Sequence, residues 1–257
     1  MGNEDPEPVA RAAPALLEAR LGWLGIAFAF LYLGSVYMKI PAVRPGITAG
    51  DLIDIATPVV LILLFARVGR ALGPALTQRE SAERARGPAT ARMLLLMGGF
   101  ALVLGHGMHV AANSIHDAIA RSGTPDPFGL VNWWDERVSH AAIDGSKLMM
   151  CAGLTALEGL RGADARAGGA SGAGGLLTAG ALGYGFIYFA AGVEGQTVTL
   201  LLPFSAIYLL WSLRRGRPFP PVRRFYTLGA LVSVVLFAVW GIWHRGFPEF
   251  SAVGLIP

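Results

Sequence analysis

Apolar runs close to the length needed to cross a hydrocarbon core recur seven times in this chain, at 21–38, 52–68, 93–119, 138–157, 176–193, 198–213 and 226–243. A spanning helix needs about 20 mostly apolar residues, and inside lipid each backbone polar group must be bonded within its own segment. The pattern predicts an all-α, polytopic integral membrane protein with seven transmembrane helices. Only 15% of the 257 residues are charged, against about 25% in a soluble domain. The net charge of +4 does not indicate nucleic acid, because the basic residues stand in loops beside apolar runs.

Residues 1–20 are acidic at the start and rich in Pro and Ala. They are expected to be disordered, and they lack the basic leading region of a cleavable signal peptide. Residues 21–257 form a single seven-helix domain, with a flexible Gly/Ala-rich loop at 162–175. The single cysteine, Cys151, allows no internal disulfide. Arginine placement orients the bundle. With seven spans, fifteen of the 21 Lys and Arg residues fall on one side, mainly in the loops after spans two, four and six. Arg214, Arg215 and Arg217 form a topogenic patch there. Such a bias marks the cytoplasmic face. It places the N-terminus inside and the C-terminus outside, as in a bacterial inner membrane.

Against this apolar background the polar residues cluster. Span three carries His106, His109, Asn113, His116 and Asp117, and the start of span four carries Asp135, Glu136, Ser139 and His140. Ionisable groups in a bilayer cost several kcal/mol unless paired, solvated or metal-bound. The topology puts nearly all of them in the outer halves of their helices. Glu194, in the turn between spans five and six, and His244, at the end of span seven, share that side. Asp51 and Asp54 open span two there as well. At about 100° per residue the polar positions of span three fall within one sector. Glu136, His140, Asp144 and Lys147 share a face of span four, with Asp144 and Lys147 spaced as an internal ion pair. Depth matching of the two antiparallel spans sets His116 against Glu136, His109 or Asn113 against His140, and His106 against Asp144 or Lys147. His106 and His116 are about 15 Å apart along the axis, too far to share one ion.

Imidazole and carboxylate are ligands for a divalent transition metal, zinc first and iron second. The expected donors are His106, His109, Asn113, His116, His140, Glu194 and His244. A bound divalent ion generates hydroxide near neutral pH and polarises a carbonyl. Glu136, Asp135 and Ser139 are the candidate catalytic groups. These residues describe a metal-dependent hydrolase of a lipid amide or ester working near the outer membrane face. The alternatives are a membrane di-iron or haem oxidoreductase, and a non-enzymatic metal or proton transporter or subunit of a larger membrane complex. Membrane lipid is the expected partner, with room for a membrane-protein partner or a homo-oligomer.

Seven spans with intramembrane His, Asp and Ser resemble the superfamily of alkaline ceramidases and adiponectin-receptor-like proteins. The resemblance implies a seven-helix, zinc-dependent lipid amidase or receptor that uses three His, an Asp and a Ser. His109, His140, Asp135 and Ser139 would take those parts. Where that family has paired histidines in its last helix, this chain has His244 alone.

Overall fold

The computed structural model describes residues 8–42, 47–73, 86–123, 125, 129–161 and 173–256. It is all-α, with seven long helices: α1 (Pro8–Tyr37), α2 (Ala49–Leu72), α3 (Arg86–Ser122), α4 (His140–Leu160), α5 (Gly174–Glu194), α6 (Val198–Arg214) and α7 (Pro221–His244). A short α-turn, Leu130–Trp133, and a π-helical segment, Trp134–Ser139, lead into α4. Five of the helices, α1, α2, α3, α5 and α7, are long and apolar enough to cross a membrane, and α6 is a shorter apolar helix. They point to an integral membrane protein. Large apolar side chains such as Phe30, Leu96, Ile207 and Ile242 lie on the outside, each at least 67% exposed, a surface suited to lipid rather than water. The remaining helix, α4, carries Asp144, Lys147 and Glu158, all buried.

Helix α1 starts at Pro8, inside the stretch expected to be disordered. Packing explains the difference. Leu17 and Leu21 are buried, and Glu18 meets Arg224 of α7 at 3.4 Å, so tertiary contacts hold these turns. Residues 1–7 and most of the 162–175 loop lie outside the described residues.

Small residues bring the helices together, as expected where lipid supplies no hydrophobic drive for association. A Cβ added at Gly25 of α1 would overlap the Gly180 carbonyl of α5, and one at Gly180 would overlap that of Gly22. Helices α3 and α4 meet in the same way. Added Cβ atoms would stand 2.9 Å from the Ala91 carbonyl at Gly153, 3.0 Å from that of Ser146 at Gly98, and 3.0 Å from that of Ser139 at Gly105. Each rung advances one heptad along both helices, the repeat of a left-handed antiparallel seam. Gly107, by contrast, has no neighbour within 4 Å of an added Cβ and needs no close approach.

Candidate metal centre

The α3–α4 seam fixes what faces what. One helical turn beyond the Gly105–Ser139 rung, His109 of α3 reaches the level of Asp135. The two side chains meet there, with His109 Nδ1 2.6 Å from Asp135 Oδ1. His140 opens α4, and its ring lies edge-on to that of His109, with centroids 4.9 Å apart. One donor atom from each of His109, Asp135 and His140 can be chosen so that all three lie within 4.8 Å of one another. Two imidazoles and a carboxylate at this spacing can hold a metal ion.

The π segment explains how Asp135 and His140 come to share a face. In an α-helix residues five apart are about 140° out of phase. A π turn bonds each residue to the fifth along and stacks them, and such turns recur at functional sites. Ser139 is fully buried inside this turn, and its hydroxyl donates to the Asp135 carbonyl. That engagement makes it a fastening of the π turn.

Around the triad stands a second layer. The Asn113 amide donates to His109 Nε2 at 3.1 Å. Asp54 of α2 lies between two histidines, 3.1 Å from His106 Nδ1 and 3.8 Å from His109 Nε2. The other nitrogen of His106 meets the Tyr32 hydroxyl at 3.5 Å. Carboxylates in this position orient a ligand histidine and raise its basicity. Glu136 has its carboxylate 3.9 Å from His140 Nε2. It lies in the π-helical segment that leads into α4. Gly195, in the α5–α6 turn, lies against the His140 ring, and a Cβ there would fall 2.5 Å from His140 Nδ1.

Several expected donors are placed elsewhere. His106 belongs to the Asp54–Tyr32 group and, among the described residues, makes no hydrogen bond or ion pair with Asp144 or Lys147. His116 is exposed on α3, about 10 Å along the axis from His109. Glu194 accepts the Phe250 and Ser251 backbone N–H groups at 2.7 and 3.4 Å, tying down the C-terminal segment. His244 packs on Trp240, ring centroids 4.0 Å apart. Asp51 is a helix cap, its carboxylate accepting the Thr48 N–H at 2.7 Å. Asp144 and Lys147 form the expected ion pair, at 2.5 Å. The side chain of Asp117 lies outside the described residues. Sequence periodicity missed the pairing of Asp135 with His140, because an α-helical phase selects Glu136 instead. It also missed Gly195, whose only signal is its place in a tight turn.

Comparison of the chain with family profiles, with curated proteins and with solved structures gives no match.

Proposed function

We propose that this chain is a membrane metalloenzyme whose seven long helices cross the bilayer, with a divalent transition metal held by His109, Asp135 and His140 near the outer face. The observation that carries the reading is the convergence of three donor atoms within 4.8 Å, one from α3 and two from the π-to-α4 stretch packed against it. Two neutral imidazoles and one carboxylate leave coordination positions open for water and substrate, the arrangement of a catalytic rather than a structural site. Zinc is the first choice of ion.

Hydrolysis of a lipid amide or ester is the activity this donor set supports best. The ion would supply an acidified water and a polarised carbonyl. The chain supplies the rest. Asp54 and Asn113 hold the His109 ring, and the Gly195 turn presses on His140. Glu136 stands beside the triad as the general base. The exposed Trp133 and Trp134 flank the segment that carries Asp135, where an amphipathic substrate would arrive from the membrane interface.

The same donor set suits non-haem iron, so an iron oxidoreductase is the second reading. Haem between His109 and His140 fits less well, since rings 4.9 Å apart in edge contact leave no space for a macrocycle. Against a through-path for ions, the polar groups run inward from Asp54 through His106 and Tyr32 to Lys147, then give way to buried Met150, Leu154 and Leu157.

Elemental analysis of detergent-purified protein tests the reading. Wild type should carry about one transition metal per chain. His109→Ala and His140→Ala should each lower metal affinity at least a hundredfold, since the loss of an orienting partner alone costs 10–100-fold. Equal, substoichiometric metal in all three proteins would overturn it, and iron in place of zinc would favour the oxidoreductase.

A further inference from the structure

The end of α4 opposite the metal centre, about 27 Å away along the helix, borders a cavity of about 760 Å³. Its wall is apolar and aromatic, formed by Ala156 of α4 with Phe204 and Trp211 of α6, and its rim carries Arg215, Arg217 and Arg223. Of the rim arginines, Arg223 is electrostatically coupled to Glu158. Glu158, the acidic residue of the cavity, spends its carboxylate on the Val222 and Arg223 backbone N–H groups, at 2.7 and 2.8 Å. The Arg223 guanidinium donates to the Gly216 and Pro218 carbonyls at 2.7 and 2.6 Å, and its Nε is buried without a partner. Arg215 lies over the Trp211 ring at 5.5 Å. Among the described residues neither Arg215 nor Arg217 pairs with a carboxylate.

A membrane-depth groove with an aromatic wall and an arginine rim selects for a molecule that is anionic at one end and apolar along its length. We propose that this cavity binds an anionic glycerophospholipid. The phosphate lies against Arg215 and Arg217, and an acyl chain lies along Ala156, Phe204 and Trp211. Arginine recognises phosphate oxygens through paired N–H donors, and basic pockets between membrane helices take anionic headgroups. The cavity size is that of a specific ligand site. The proposal rests on the membrane reading of the helices and on no residue of the metal centre.

Native mass spectrometry of the full chain in detergent tests it. Phosphatidylglycerol and phosphatidylcholine with the same acyl chains are added, each with and without millimolar inorganic phosphate. Wild type should retain phosphatidylglycerol in preference, unaffected by phosphate. Each arginine should account for about fivefold, so Arg215→Gln with Arg217→Gln should reduce the preference by about twenty-five-fold. Ala156→Phe changes an exposed helical position, keeps every charge and fills the groove, so it should remove bound lipid. The proposal falls if wild type shows no preference or if the double variant retains it. It also falls if inorganic phosphate displaces the lipid while Ala156→Phe leaves binding unchanged, the outcome expected of a simple anion site.

Discussion

Two buried polar groups share the stretch from 135 to 147 and reach electrostatic balance differently. Asp144 is closed. Lys147 Nζ lies 2.5 Å from its Oδ1, the Thr197 hydroxyl donates to its other oxygen, and the ammonium sits over the Tyr32 ring at 4.6 Å. Each of these polar side-chain atoms has at least one partner within the chain. Asp135 has no such cation. Its neighbours are the neutral-capable imidazoles of His109 and His140 and the acid Glu136. The first group is closed by a fixed cation, whereas the second is held by His109–Asp135 and Asn113–His109 hydrogen bonds that a divalent ion could replace. Burial alone therefore does not mark a site in this bundle.

The contrast can be broken most forcefully at Lys147. Lys147→Met leaves Asp144 charged and unpaired, at a cost of about 3–5 kcal/mol, while metal content stays at the wild-type level. Adding Asp144→Asn should restore most of the loss. Thermal unfolding in detergent reads the first effect and elemental analysis the second. A metal-free but fully stable Lys147→Met protein would show that the two groups are one. Asp54→Asn is next in size. It removes the carboxylate shared by His106 and His109 and should weaken metal binding by about 10–100-fold, measured by competition with a chelator. Unchanged affinity would remove Asp54 from the centre. The smallest effects separate two glycines. Gly195→Ala pushes on His140 and should lower metal affinity severalfold. Gly107→Ala meets nothing and should raise stability by about 0.5–1 kcal/mol, since alanine is the better helix former. Equal behaviour of the two would deny the Gly195–His140 contact any role.

Hydropathy made the seven helices legible, because a run of apolar residues is read the same way whatever its neighbours are. The approach of His109 to His140 was also legible, from antiparallel depth. The finer register was not. Gly98, Gly105 and Gly153 set α3 on α4 more than a turn away from the depth matching of His106 with Asp144 and of His116 with Glu136, and small-residue seams carry little phase information in sequence. Asp135 is a candidate catalytic group from sequence, but its place beside His140 was hidden for a related reason. A π turn has no compositional signature, so the i,i+4 phase pointed to Glu136. Glu194 and His244 drew attention as isolated polar residues on the right side. Their partners, the Phe250 backbone and the Trp240 ring, become visible only once the C-terminal segment folds back.

The near-contact of the α1 and α5 backbones at Gly22, Gly25 and Gly180 bears on how the bundle is made. A ribosome delivers α1 first, yet the groove that receives it belongs to the fifth helix. Until α5 has formed, the Gly22–Gly25 face of α1 lacks its partner, although α2 can already pack on α1. The α1 packing is therefore complete only once α5 is in place. Chains arrested before residue 180 should leave α1 accessible to crosslinking by lipid-phase probes, and chains arrested after α5 should shield it.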